Sequence, residues 1–369
     1  MTIQFTAELL EAELQRRASD AAAMEACFGE GIAIYGAGFV GTWASHYLQS
    51  LGARVSCFVD RDPRKHGTML NGIPVVAPEV ATLATLPAML IAARHAVRQV
   101  ERELAGRGPA MMSFDGYFVM RNRERLLTVR DRYLDDERSV EVFNALLMTM
   151  LSGDLAPCRA VMEKDMYFCL PEFAGNFDET FVDAGAFVGD TVERFIWENL
   201  GTFRHIHAFE PGLKQFRAMS KRMERLAEEW AIDPARVSLV RAGLSDHPGR
   251  MSCTFLDDAP LRHGLAELDA TDAGEDDDTN ARVITLDNYL DGRPVSFIKA
   301  DVEGMEMELL RGAEQTIRKY RPKLAISAYH YPNHLFEIAE YIRTLVPEYR
   351  FRLRLHVPLF GDFVLYCSV

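Results

Sequence analysis

Short apolar runs that stop at a glycine or an acid recur along this chain, and helical stripes of apolar residues separate them. Over residues 4–28, Phe5, Leu9, Leu10 and Leu14 alternate with Glu8, Glu11 and Glu13, the pattern of an amphipathic helix. Gly31 to Tyr35 then reads as a buried strand running into Gly36-Ala37-Gly38-Phe39-Val40-Gly41. A helix follows at Trp43, Tyr47, Leu48 and Leu51, and Arg54 to Val59 is a second strand closed by Asp60. A run at Met89 to Ala92 is the last strand of this first group. Residues 119–170 change character, with an arginine-rich stretch (121–125) and then a periodic apolar segment from Val140 to Leu151, which predicts a helical connector.

The second half repeats the same grammar. Phe181 and Val182 begin a strand that ends in Asp183, a turn spans Gly185 to Gly189, and a helix starts at Asp190. Ile206 to Phe209 ends in Glu210 before Pro211. The stripe Leu213, Phe216, Met219, Met223, Leu226 and Trp230 marks the next helix. Val237 to Val240 leads to Ser245 and Asp246, a hairpin is expected at Met251 to Phe255, and the acid-rich residues 257–281 read as a solvated loop. Val295 to Ala300 ends in Asp301, Pro322 to Ala328 runs out at His330, and Phe351 to His356 with Phe363 to Cys367 suggests a terminal antiparallel pair. The organisation expected is a small Rossmann-like α/β domain at 1–118, a helical connector at 119–170 and a doubly wound α/β sheet at 171–369.

Composition narrows the class of protein. The chain has 369 residues, 48 % of them apolar and 26 % charged, enough for two cores. A net charge of −13 without any basic block argues against nucleic acid or an anionic membrane as a partner. Six cysteines without a Cys-x-x-Cys pair suit reduced, buried thiols. No signal peptide and no run of membrane-spanning length are legible, so a cytoplasmic protein is expected.

The candidate chemistry lies at strand ends, where an open α/β sheet gathers its ligands. Asp183, Glu210, Asp301 and His330 all fall there. The turn Gly185-Ala186-x-x-Gly189 lacks the tight Gly-x-Gly-x-x-Gly that seats a pyrophosphate. It fits S-adenosylmethionine, with Asp183 toward the donor's amino group and sulfonium. Glu210 would take the ribose diol, because a carboxylate accepts two hydroxyl hydrogens at once, and Ser245 and Asp246 would meet the adenine edge. For methyl transfer to oxygen, Asp301 is the first candidate base or orienting acid. His330 is the second, since an ordinary imidazole titrates near pH 6.5. His330 and His334 have the spacing of a metal pair, with Asp287, Asp301 and Glu303 as further acids. Pro332 interrupts that pair, and no metal is expected.

The first glycine turn is the fuller fingerprint: Gly36, Gly38 and Gly41, with Asp60 nineteen residues after Gly41. Roughly ninety residues without dehydrogenase-like acid–base groups leave it open between an NAD(P)-dependent oxidoreductase, a nucleotide or nucleotide-sugar site, and a structural role.

Four blocks then resemble a known family: Phe181-Val182-Asp183-Ala184-Gly185-Ala186, Ala208-Phe209-Glu210-Pro211, Phe297-Ile298-Lys299-Ala300-Asp301-Val302-Glu303-Gly304 and Leu310-Arg311-Gly312-Ala313 are similar to those of FkbM-type methyltransferases. The resemblance covers residues 165–369 and is most specific in the Ile-Lys-x-Asp-Val-Glu-Gly block. It implies a class I methyltransferase fold, S-adenosylmethionine as donor and S-adenosylhomocysteine as product. It also implies O-methylation of a hydroxyl on a small-molecule, sugar or glycan acceptor. The N-terminal domain lies outside that family's core and looks like the Rossmann-like modules of sugar-modifying enzymes. Its glycine triplet is compatible with a nucleotide-sugar, and an NAD(P)-dependent oxidoreductase or a non-catalytic nucleotide-sugar-binding protein is the alternative reading of the whole chain.

Overall fold

Four-residue runs of Ile, Ala, Val and Leu with no polar position are stable only inside a sheet covered on both faces, and both halves of the chain are built around them. The computed structural model describes residues 5–79, 85–106, 108–256, 259–267, 280–358 and 361–369. It divides into two compact units, one from residues up to 130, 140–162 and 357–360, the other from residues 131–139, 163–356 and 361–369.

In the first unit the chain runs through α1 (Ala7–Ala26), β1 (Ile32–Tyr35), α2 (Phe39–Ser50), β2 (Val55–Val59), β3 (Met69–Leu70), β4 (Ile73–Val76), β5 (Ala88–Ile91), α3 (Val97–Leu104) and β6 (Ala110–Ser113). The sheet order is β3-β4-β2-β1-β5-β6, parallel except for β3. The sheet continues past the strand that the apolar pattern marks as last. β6 is only Ala-Met-Met-Ser after Gly108 and Pro109, too short for a period to show. Helices α4 (Phe114–Arg121), α5 (Arg123–Arg132), α6 (Glu137–Ser152) and α7 (Ala156–Val161) follow. Phe114 and Tyr117 of α4 pack into the same core as Ile34, Ala44 and Leu48, so the helical stretch begins inside the first unit.

The second unit carries β7 (Thr180–Ala184), α8 (Asp190–Glu198), β8 (His205–Phe209), α9 (Leu213–Glu229), β9 (Val237–Val240), β10 (Gly243–Leu244), β11 (Gly249–Leu256), β12 (Ala259–Glu267) and β13 (Asn280–Ile284). It continues with α10 (Leu286–Leu290), β14 (Phe297–Ala300), α11 (Glu306–Gly312), α12 (Glu314–Tyr320), β15 (Lys323–Ser327), α13 (His334–Leu345), β16 (Arg350–Leu355) and β17 (Phe363–Ser368). Its main sheet is ordered β16-β17-β15-β14-β7-β8-β9, with β17 antiparallel to both neighbours. This is the doubly wound α/β sheet with a terminal antiparallel pair that the sequence implies. Phe181 and Phe195 stack at 4.3 Å and Phe297 joins them at 4.9 Å from Phe181, which fixes β7 against β14 from below.

A smaller sheet, β10-β13-β11-β12, branches off. Strand β12 occupies the start of the stretch expected to be a solvated loop. The acids Asp269, Asp272, Glu275, Asp276, Asp277 and Asp278 lie outside the described residues. Sheet order reverses at β7, between β14 and β8, and that is where a crevice opens beyond the carboxyl ends of the strands. Among the described residues no helix is long and apolar enough to cross a membrane.

Candidate functional site

The turn after β7 needs glycine for two reasons. Gly185 has φ +74°, and a Cβ there would stand 1.9 Å from the carbonyl oxygen of Asp301. The turn spends its N–H groups within the protein: Gly185 and Ala186 both donate to Phe209 O (3.1 and 2.8 Å), Phe187 donates to Glu210 Oε2 (2.8 Å), and Gly189 donates to Ala186 O (2.7 Å). Such a turn offers little to a phosphate and leaves a smooth wall beside the strand ends.

Beneath the turn, Asp183 is fully buried, and Lys299 Nζ lies 2.8 Å from its Oδ1. Lys299 also donates to Gly185 O (2.7 Å) and Ala184 O (3.3 Å), which ties β14 to the end of β7. Burial pushes the Asp183 carboxyl up to about 6, against the pull of the Lys299 charge. Burial also works against the Lys299 charge, yet the carboxylates of Asp183 and Asp301 outweigh it and hold the ammonium above its ordinary value. Asp183 therefore stands behind the site, not on its wall, and acts through Lys299. The strand's alternation could not show this, because both faces of β7 are covered.

A cavity of about 510 Å³ opens above these strand ends. Gly185, Phe187, Asp190 and Thr191 form one side, and Glu210, Pro211 and the segment Ala242–Leu244 form the next. Glu210 accepts Phe187 N–H on Oε2 and Gly212 N–H on Oε1, both at 2.8 Å, which leaves one lone pair on each oxygen toward the cavity. Burial drives its carboxyl up to about 7, opposed by those two backbone hydrogen bonds. Ser245 and Asp246, expected at an adenine edge, lie off the wall. Ser245 N donates to Ile284 O, because β10 pairs with β13 and carries the chain into the smaller sheet one residue too early. Ala242, Gly243 and Leu244 line the cavity there.

At the far end Asp301 follows β14. Its Oδ2 accepts from Tyr167 Oη (2.8 Å) and its Oδ1 from Tyr329 Oη (3.0 Å). Burial, with the Asp301 charge beside them, pushes both phenols up, so they remain donors. His330 Nε2 lies 3.6 Å from Asp301 Oδ1 and 3.4 Å from Glu303 Oε2, and its Nδ1 lies 3.0 Å from Glu306 Oε1. Burial alone would lower this imidazole. The carboxylates of Glu306, Glu303 and Asp301 outweigh that and hold it well above its ordinary value. The imidazole expected as the second candidate base therefore lies among three carboxylates. Glu306 is its counterpart: burial would raise it, but His330 and His334 keep it well below the usual carboxylate range.

The apolar pattern missed Lys299, Glu306, Tyr167, Tyr329 and Asp190. Two of them left a signal, since a Lys inside the apolar run Phe-Ile-Lys-Ala and an acid on a buried helix start are both anomalous.

The first unit's turn is built alike. Gly36 has φ +106°, and a Cβ on Gly41 would stand 1.9 Å from Gly36 O. Ala37 N–H donates to Asp60 Oδ2 (2.7 Å), Asp62 N–H donates to Asp60 Oδ1 (2.8 Å), and Lys65 Nζ stands 3.5 Å from Asp60. Gly38 has no neighbour within 4 Å of where a Cβ would be, so the backbone is open to close approach there.

The crystal structure of the methyltransferase FkbM from Methylobacillus flagellatus has the same fold over 98 % of both chains, with a TM-score of 0.60 and 23 % identity. An rRNA methylase from Streptococcus thermophilus covers 53 % of this chain and 89 % of its own, at 16 % identity and a TM-score of 0.34. UDP-D-quinovosamine 4-dehydrogenase from Vibrio fischeri covers 22 % of this chain and 75 % of its own, at 22 % identity and a TM-score of 0.21. Likenesses as loose as the last two carry no weight for function. No curated protein matches the sequence. Residues 183–353, which lie within the second unit, match the methyltransferase FkbM domain.

Proposed function

We propose that the second unit transfers the methyl group of S-adenosylmethionine to a hydroxyl oxygen of a sugar, glycan or related natural product. The observation that carries this reading is a glycine turn with its N–H groups spent inward, beside a buried carboxylate on the cavity wall. A donor with a ribose diol and no phosphate suits that wall, and a dinucleotide does not. Glu210 would accept the two ribose hydroxyls, and Ala242, Leu244 and Pro211 offer an apolar slot for adenine. Asp190 and Thr191 would face the amino-acid end, with Asp183 supporting the turn through Lys299. Asp301 would orient the acceptor hydroxyl and receive its proton. The O–CH₃ bond forms as the S–CH₃ bond breaks, and its electron pair returns to sulfur as S-adenosylhomocysteine leaves. His330 would orient Asp301.

Calorimetric titration of S-adenosylmethionine and S-adenosylhomocysteine against wild type, Glu210→Ala and Gly185→Val tests the donor site. The expected result is binding by wild type and a loss of ~2–4 kcal/mol for Glu210→Ala. Equal binding by all three proteins, or none by the wild type, ends the reading. For the first unit we infer a nucleotide-sugar or related nucleotide at Gly36, Gly38, Gly41 and Asp60, on the open approach at Gly38. Mass spectrometry of the purified protein for bound NAD, nucleotide-sugar or S-adenosylhomocysteine separates this from an oxidoreductase and from a non-catalytic binder.

A further inference from the structure

The acceptor end of the cavity holds more unsatisfied chemistry than methyl transfer uses. One ligand atom each from Asp301, Glu306 and His330 falls within 4.8 Å of the others. The Glu306 side chain is 0 % exposed, His330 8 % and His334 4 %. Their polar atoms crowd together: His330 Nδ1 lies 3.0 Å from Glu306 Oε1 and His334 Nδ1 lies 3.3 Å from Glu306 Oε2. Yet neither ring nitrogen of His330, nor His334 Nδ1, nor Glu306 Oε2 makes a hydrogen bond. Leaving such buried atoms unpaired is costly. Close approach without hydrogen-bond alignment is what lone pairs show when they point at a common centre and not at one another. Ligands about 2.1 Å from one ion stand about 3.0 Å apart at right angles and about 3.4 Å apart at tetrahedral angles. Around His330 Nε2 the separations to Glu303 Oε2 and Asp301 Oδ1, 3.4 and 3.6 Å, are of that size.

The backbone is folded to make this cluster. Glu303 (φ +54°) and Gly304 (φ +100°) form a left-handed pair, and a Cβ on Gly304 would meet the Tyr331 ring at 2.6 Å. This tight turn brings Glu303 and Glu306 back onto the strand end that carries His330.

We propose that Asp301, Glu306 and His330 bind a divalent cation, with Glu303 as a further carboxylate within reach. His334, against the second oxygen of Glu306, positions that carboxylate. Two carboxylates with an imidazole suit Mn²⁺ or Zn²⁺. Asp301 and Glu303 line the cavity, so the cation meets whatever hydroxyl arrives there. Its charge would acidify that hydroxyl as it does bound water, easing the proton's passage to Asp301. That role rests on the methyl-transfer reading, whereas the site itself does not.

The test uses the full chain, stripped with chelator and dialysed, with neither donor nor acceptor present, so failure of the donor assignment leaves the result unaffected. Mn²⁺ and Zn²⁺ are titrated calorimetrically, and bound metal is counted by elemental mass spectrometry. The expected result is one ion per chain, bound at least tenfold more weakly by His330→Ala and by Glu306→Gln, and equally well by the surface control Glu229→Gln. Should a buried variant fail to fold, Asp301→Asn must show the same loss, since that side chain is partly exposed. Absence of stoichiometric binding by the wild type, or equal binding by every variant, overturns the site.

Discussion

The two glycine turns of this chain are the same backbone device with different chemistry. In each, an acid at the end of the next strand accepts an N–H from the turn: Ala37 to Asp60 in the first unit, Phe187 to Glu210 in the second. In each, the far neighbour of the first strand closes on the turn, Ala92 N–H donating to Tyr35 O and Asp301 N–H to Ala184 O. What differs is the side chains hung on that frame. The first unit has Ala92 where the second has Asp301. It pairs Asp60 with a half-exposed Lys65, whereas the second encloses Asp183 and Lys299 completely. It leaves Gly38 open, whereas Gly185 is packed against a carbonyl. A shared topology sets where a ligand goes, and the burial of charge around the turn decides what the site can do there.

The largest effect should come from the position where the frames diverge most. Asp301→Asn is expected to lower kcat by ~10²–10⁴ with donor affinity unchanged, followed as S-adenosylhomocysteine released with a carbohydrate extract as acceptor. Near-wild-type turnover would reduce Asp301 to a structural position like its counterpart Ala92.

The two lysines offer a direct stability comparison by urea denaturation. Lys299→Met strands a buried carboxylate and is expected to cost ~3–5 kcal/mol. Lys65→Met breaks a partly exposed pair and should cost no more than about 1 kcal/mol. The Lys299 variant should recover stability as pH falls, since Asp183 then takes up a proton. Similar costs for the two would end the distinction between enclosed and open turns.

The glycines sharpen the same point at smaller scale. Gly185→Ala meets both positive φ and a carbonyl 1.9 Å away, for an expected cost of ~3 kcal/mol. Gly38→Ala, at φ −109° with nothing near, should stay within about 0.5 kcal/mol by thermal denaturation.

The smallest effect is a pH dependence. Glu210 has its carboxyl raised from 4.5 to about 7 in the folded protein. The native state therefore binds the extra proton between those values, and this group's contribution to stability falls as pH rises through that window. Ribose hydroxyls need the ionised form, which grows from roughly a tenth to roughly nine-tenths of molecules between pH 6 and pH 8. Donor affinity measured by calorimetry should rise about tenfold over that range, and Glu210→Gln should abolish the rise. A flat profile in the wild type would show that Glu210 does not meet the ribose.

Much of this architecture is legible before folding. The apolar runs at 32–35, 181–184 and 297–300 mark both sheets, and the acids and glycines that interrupt them mark the strand ends, because strand period and turn chemistry are local properties. Less legible is which strand-end acid faces the cavity. Ser245 and Asp246 sit at the expected distance along the chain but are carried off by the pairing of β10 with β13, a contact between residues far apart in sequence. His330 reads as an ordinary titrating imidazole until Glu303 and Glu306, more than twenty residues away, are brought against it.

The amino-acid sequence by itself determined the two α/β units, the two glycine turns and the family of the second, since these rest on period, glycine placement and contiguous motifs. Only the tertiary structure decided that Asp183 supports the turn from behind through Lys299, that Glu210 lies on the cavity wall, and that Glu306 and the histidines crowd Asp301. The reason is physical: charge state and accessibility are set by burial and by neighbours from distant strands, and no residue's own place in the chain carries that information.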